Sequence, residues 1–278
     1  MIKKVLILII AITLIQCVFA TNYNLSMNNI QDKIEAQEGL RPGNEPYMMG
    51  TQDNKVGIIL FHGFTASPWE VKELTESLSN ITVYAPLVAG HGRTETDLKK
   101  TTWEEWYEEA NKDFNLMNEM YDCVYVGGMS TGGTIALMLA AEHEVCGIVS
   151  IGTPIYFQDW KVKYAWIFKY IMPFTTKELS EEEKPYYYEK RPVASIAELY
   201  EMVKHLKKNI QNIDEPILIL HSSKDQVIKP ESAEFILNNV NSSNKQIILF
   251  NESPHVIIKG TQKEEAFKLI SEFIQENS

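Results

Sequence analysis

Short, unbroken apolar runs recur along this chain at 56–61, 82–85, 123–127, 147–151, 216–221 and 246–250. Each is rich in Val, Ile, Leu, Tyr or Phe and is bounded by glycine, proline or polar residues, which is the signature of strands buried on both faces. Helical segments lie between them. Ser67-Pro68-Trp69-Glu70 reads as a capping box with proline at the first helical position, and Thr102 with Glu105 reads as a second one, opening a helix to about residue 120. Further helices are predicted at 131–141, 230–239 and 262–275. Alternation of this kind implies an α/β architecture with a mostly parallel sheet and helices on both faces. Two stretches depart from it. Residues 21–49 are polar, rich in Asn and Gln, and include Pro42, Gly43 and Pro46, so a loose lead-in with room for one early strand is expected. Residues 155–212 interrupt the alternation with a dense set of aromatics, among them Trp160, Tyr164, Trp166 and Tyr186-Tyr187-Tyr188. A helical insertion capping the top of the sheet is expected there, although the same positions also suit plain core helices.

The first residues change the picture of where the protein works. Lys3 and Lys4 precede an apolar run from Val5 to Ile15, and Val18-Phe19-Ala20 offers acceptable residues for a signal peptidase. The run is short for a membrane span. A secretory leader over 1–20 is therefore expected, with no stable span in the mature form and a secreted or periplasmic location. The alternative is an uncleaved anchor. A lipoprotein is disfavoured, because Gln16 is a poor residue before a lipidated Cys17. The remainder divides into the lead-in at 21–49 and one domain over 50–278, long enough for a full core. The net charge of −11 argues against nucleic acid, which needs a basic face, and against attraction to anionic lipid heads; it leaves neutral esters open. Cys123 and Cys146 each stand near the start of an apolar run, where cysteine usually acts as a small hydrophobe. Adjacent strands also permit a single bridge between them.

The candidate chemistry lies at 124–133. The run ends in Gly127-Gly128-Met129-Ser130-Thr131-Gly132-Gly133, and a helix-forming segment follows. A G-x-S-x-G between strand and helix forces the serine into a strained, exposed turn, and the glycines let strand and helix approach. A serine hydroxyl needs a base, and the base needs an orienting carboxylate. On a sheet of this kind the chain order is nucleophile, acid, histidine. His255, in the loop Ser253-Pro254-His255, and Asp225, just beyond the 216–221 strand, satisfy that order; Asp214 precedes the strand and lies at the wrong end. The oxyanion needs backbone donors. Phe64, in the loop His62-Gly63-Phe64-Thr65, is one candidate, and Met129 or Thr131 is the other. His62 and Gly63 in that loop, with Trp160 and Tyr164 in the insertion, are candidate substrate contacts, though His62 also reads as a structural hydrogen-bonder. This chemistry calls for no metal and no cofactor.

Together these motifs, with Pro86 and Gly90-His91-Gly92, resemble the carboxylesterase and monoacylglycerol-lipase branch of the α/β-hydrolase superfamily. The resemblance runs over about residues 50 to 277, and the chain is similar in particular to bacterial thermophilic-type carboxylesterases with a small cap. It implies an α/β-hydrolase fold, a Ser130–His255–Asp225 triad, and hydrolysis of short- to medium-chain acyl esters, monoacylglycerols among them. Feruloyl-type aryl esters, or acyl transfer on the same triad, are the alternatives it leaves open. The chain departs from the family in carrying a leader, and in Ser-Pro-His where Ser-Gly-His is common. The sequence leaves the oligomeric state undetermined.

Overall fold

A computed structural model of the chain describes residues 2–36, 38–50, 55–78 and 81–278, with the side chains of 2–17 and 19 outside that description. The basic start, the apolar run and Cys17 of the expected leader therefore lie outside the described side chains. The chain opens with helix α1 (Ile2–Glu35), which passes through the expected cleavage point after Ala20. Then come β1 (Tyr47–Met49), β2 (Val56–Phe61), α2 (Lys72–Ser77), β3 (Thr82–Ala85), α3 (Glu95–Lys100), α4 (Trp103–Met120), β4 (Cys123–Met129), α5 (Thr131–Glu142) and β5 (Gly147–Ile151). After β5 the chain runs through α6 (Ala165–Phe168), the hairpin of β6 (Phe174–Thr176) and β7 (Lys190–Pro192), and α7 (Val193–Asn209). It closes with β8 (Ile217–Ser222), α8 (Glu231–Asn239), β9 (Lys245–Phe250) and α9 (Lys263–Glu276).

The main sheet has seven strands in the order β1-β3-β2-β4-β5-β8-β9. All pairings are parallel except β1 with β3. Alternate residues of the apolar runs serve opposite faces, as the pleat requires. Ile59, Phe61, Val126, Ile148 and Ile219 join one core with residues of α4, α5 and α7. Ile58, Leu60, Tyr125, Val149 and Leu218 join the other with residues of α2 and α9. No described helix is long and apolar enough to cross a membrane.

Three expectations change. The lead-in is not loose at its start: α1 continues to Glu35 and docks on α4, with Ile30 fully buried, Ser26 hydrogen-bonded to Glu119 at 2.5 Å and Lys33 paired with Asp113 at 2.6 Å. Its apolar positions are sparse and its polar ones find specific partners, so periodicity alone hid it. The insertion is not all cap, because α7 sends Leu199, Met202, Val203 and Leu206 into the first core. Ser67 makes no cap hydrogen bond, and the element it precedes begins as a short 3-10 turn at Pro68–Val71. The second capping box, Thr102 with Glu105, is present in full. Cys123 and Cys146, on β4 and just before β5, are joined in a disulfide.

Candidate active site

The turn between β4 and α5 determines the geometry at Ser130. Ser130 has φ +52°, a left-handed conformation that non-glycine residues rarely adopt. Its amide donates to Ile151 O on β5 at 2.7 Å, fixing the turn against the sheet. The close approach needs glycine: a Cβ on Gly132 would lie 2.1 Å from Phe61 O, and one on Gly128 would lie 2.4 Å from the Gly132 carbonyl carbon. The hydroxyl is thereby carried to the C-terminal edge of the sheet, into a cavity of about 290 Å³ whose walls include Gly63, Phe64, Met129, Ser130 and His255.

Asp225 follows β8 and is buried. Its Oδ1 accepts the amides of Val227 and Ile228 at 2.7 and 2.8 Å, and its Oδ2 contacts His255 Nδ1 at 2.5 Å. Burial pushes its pKa up, but the hydrogen bonds from His255 and the two amides outweigh this and hold it below the usual carboxylate value. The carboxylate thus fixes His255 with Nε2 as the free nitrogen. His221 Nε2 stands 3.6 Å from the same oxygen; burial lowers its pKa, so it remains neutral. Ser130 and His255 line one cavity and are not hydrogen-bonded to each other.

The loop after β2 forms the facing wall. His62 is buried with both ring nitrogens engaged: Nδ1 with Gly63 O at 2.9 Å and Nε2 accepting from Val88 N at 3.1 Å. Burial first, and His91 beside it second, keep its pKa well below the usual value, so it ties two loops together as a neutral ring. Of the two expected substrate contacts in this loop, Gly63 is on the cavity wall and His62 is not. The amides of Phe64 and Thr131 donate to no acceptor among the described residues. Met129 is the last residue of β4 and is paired with Ile151, whereas Thr131 opens α5, where amides lack helical acceptors. Of the alternatives Met129 and Thr131, Thr131 is the one whose amide lies at a helix start.

Trp160 is 62% exposed and Tyr164 38% exposed; they pack edge-on against each other, and Trp160 lines a neighbouring groove that shares Phe157, Asp159 and Val162 with the cavity. The structure does not bring either of these two expected substrate contacts into the wall of the Ser130 cavity. The cavity instead recruits residues that sequence reading passed over. Glu70, read as a capping residue, is buried, and its Oε2 accepts Gly63 N at 2.6 Å while its Oε1 accepts the Tyr187 hydroxyl at 2.9 Å. Burial raises its pKa, and those two hydrogen bonds moderate the rise. Lys177, Arg191 and Thr175 come from the β6–β7 hairpin and its flank. They carried no spacing signal, since isolated charges in a polar stretch look solvated.

A family model, Hydrolase_4, described as serine aminopeptidase, S33, matches residues 52–262. A thermostable monoacylglycerol lipase of Bacillus sp. (strain H-257) is 30% identical over 77% of this chain and 87% of its own. A carboxylesterase of Bacillus subtilis (strain 168) is 27% identical over 78% of this chain and 92% of its own. Among solved structures, one from work on LipS and LipT, two metagenome-derived lipolytic enzymes, superposes with a TM-score of 0.80 at 24% identity, covering 85% of this chain and 99% of that one. With a parallel sheet, a strained serine elbow and a match over most of its length, the chain belongs to the Hydrolase_4 family, among its carboxylesterase and monoacylglycerol-lipase-like serine hydrolases.

Proposed function

We propose that the protein is a serine carboxylesterase for short- to medium-chain acyl esters, monoacylglycerols among them, with Ser130 as nucleophile, His255 as general base and Asp225 as its orienting carboxylate. The observation that carries this reading is the strained Ser130 sharing one cavity with His255, whose Nδ1 is tightly paired with the buried Asp225 behind it. Ser130 Oγ attacks the ester carbonyl as His255 Nε2 takes its proton, and the imidazolium so formed is stabilised by Asp225. The amides of Phe64 and Thr131 receive the oxyanion. His255 then gives the proton to the leaving alcohol, and water repeats the sequence on the acyl-enzyme. Two features support the chain-length range. The cavity of about 290 Å³ is at the small end for ligand sites. An adjoining apolar groove shares Val162, Thr175 and Ile196 with it and runs past Phe168, Ile171 and Met172, giving a longer acyl chain somewhere to lie. The names of the two Bacillus relatives, a monoacylglycerol lipase and a carboxylesterase, support an acyl ester as the substrate class.

A ladder of p-nitrophenyl esters from acetate to palmitate tests the reading on the wild type and on Ser130→Ala. The expected result is a maximum at short or medium chains and a loss of at least about a thousandfold in the variant. Equal activity in Ser130→Ala overturns it.

We further propose that the enzyme works outside the reducing cytoplasm. Two independent features support this: the leader pattern of residues 1–20 and the Cys123–Cys146 disulfide.

A further inference from the structure

Two polar atoms in the wall of the Ser130 cavity have no partner. Arg191 Nε and Thr175 Oγ1 are both shielded from solvent, and neither makes a hydrogen bond among the described residues. They are neighbours, because Thr175 on β6 pairs directly with Arg191 on β7. Lys177 continues the same ladder, its amide donating to Glu189 O at 2.8 Å, and lines the same wall. Its ammonium lies 4.8 Å from the centroid of the Tyr187 ring and, like the Arg191 guanidinium, makes no ion pair among the described residues. One short hairpin thus brings two cations without an ion pair and a hydroxyl to the Ser130 cavity of a chain whose net charge is −11.

The acids nearby act on them only through space, Glu70 on Lys177 and Asp159 on Arg191, and hydrogen-bond neither. Glu70 is engaged by Gly63 N and the Tyr187 hydroxyl. Asp159 also lines the cavity and acts on Arg191 through space, but it is exposed, and its Oδ1 accepts Lys161 N at 2.9 Å. A buried donor without an acceptor is costly, and such groups in folded proteins nearly always find one. A guanidinium fork beside an ammonium matches the oxygens of a carboxylate or a phosphate.

We propose that Arg191, Lys177 and Thr175 form an anion subsite, so that the preferred substrate is an ester carrying a negatively charged group besides its scissile carbonyl. The proposal deepens, and rests on, the reading of Ser130 as an ester-cleaving nucleophile. For a half-ester of a dicarboxylic acid, water is added across the acyl–oxygen bond. The alcohol leaves with one proton, and the dicarboxylate with one further proton is the remaining product. The free carboxylate takes no part in bond breaking; it sets how the chain lies in the cavity.

The test compares matched pairs: mono-p-nitrophenyl glutarate against p-nitrophenyl pentanoate, and hexanoyl glycerol 3-phosphate against monohexanoyl glycerol. The wild type is expected to prefer the charged member of at least one pair by about ten- to a hundredfold in kcat/KM, the worth of a charge-assisted hydrogen bond. The pair that shows the preference identifies carboxylate or phosphate. Arg191→Gln should cut that preference ratio at least about tenfold, and Arg191→Lys, which keeps the charge without the fork, should recover part of it. Equal rates within both pairs, or a ratio unchanged in Arg191→Gln, overturn the proposal. Calorimetric titration of Ser130→Ala with glutarate and with glycerol 3-phosphate separates the two readings. Binding that disappears on adding Arg191→Gln supports the subsite even where Ser130→Ala remains active and the nucleophile reading has failed. An inactive Ser130→Ala, together with no charge preference in the wild type, leaves the nucleophile and removes the subsite. Thermal melts of each variant exclude loss of fold as the cause.

Discussion

Glu70 does the least expected work of any residue in this site. A carboxyl group buried beside the Ser130 cavity would be costly if unpaired; here one oxygen holds Gly63 N and the other holds the Tyr187 hydroxyl. The first bond braces the loop that presents the Phe64 amide, and the second ties that loop to the 185–188 segment, where Tyr188 N also donates to Thr65 O at 2.9 Å. Thr65 itself has φ +62°, so this loop needs external support. In Glu70→Ala, Gly63 N–H and the Tyr187 hydroxyl both lose their acceptor and the loop loses its brace. A fall in kcat of about ten- to a hundredfold is expected, with a smaller change in KM, because the Phe64 donor matters most when the oxyanion forms. Steady-state kinetics on a short ester checks it. A rise in KM with kcat intact would show that Glu70 serves binding and not the loop. The sequence could not reveal this role: Ser-Pro-Trp-Glu satisfies the capping pattern completely, and only the tertiary path of the chain diverts Glu70 from the helix end to the cavity.

At the scale of elements, legibility followed burial. The central strands were readable because a strand covered on both faces must be largely apolar, and β2, β4, β5 and β8 are, with Ser150, His221 and Ser222 as buried polar exceptions. The elbow was readable because close approach permits only glycine at 128 and 132. Helix α1 was not readable beyond residue 20. It buries few apolar side chains and relies on Lys33, which contacts Asp113 at 2.6 Å and Glu109 at 3.3 Å, with Tyr84 donating to Asp113 at 3.3 Å. Burial raises the pKa of Asp113 to about 6 despite the Lys33 charge. That sets the sign of its pH dependence. A carboxyl whose folded pKa lies above its unfolded value of 3.8 favours the fold most when protonated, so its contribution declines as pH rises from about 4 through 6. Lys33→Met removes the compensating cation and should destabilise the protein at pH 7.5 by about 1–3 kcal/mol, the low end reflecting partial exposure of the lysine. The deficit should shrink below pH 6, where Asp113 takes up a proton. Urea melts at pH 7.5 and 5 check this. A pH-independent deficit would mean that α1 is held by packing at Ile30 and not by the ion pair.

For the molecule as a whole, the disulfide links stability to the compartment in which the enzyme works. Cys123 opens β4, the strand that ends in the elbow, and Cys146 immediately precedes β5, whose Ile151 O anchors Ser130 N. The bridge therefore closes the β4–α5–β5 unit that carries Ser130, over a separation of 23 residues, with its Cα atoms 5.6 Å apart. Sequence reading left the pair open because either outcome suits cysteines at strand starts; parallel pairing of β4 with β5 brings them together. Closing a loop of this size restricts the unfolded chain by about 3 kcal/mol. The joint variant Cys123→Ser/Cys146→Ser, or the wild type under dithiothreitol, should lose about that much stability while keeping most activity below its melting range, because both sulfurs lie at the N-terminal ends of the strands and Ser130 at the C-terminal edge. Denaturant melts with and without reductant give the magnitude. Thiol alkylation of protein recovered from cytoplasmic and exported fractions then joins stability to location: a bridge present only in exported material supports an extracytoplasmic enzyme. Free thiols in the exported enzyme, with identical melts under oxidising and reducing conditions, would leave the leader as the sole support for export.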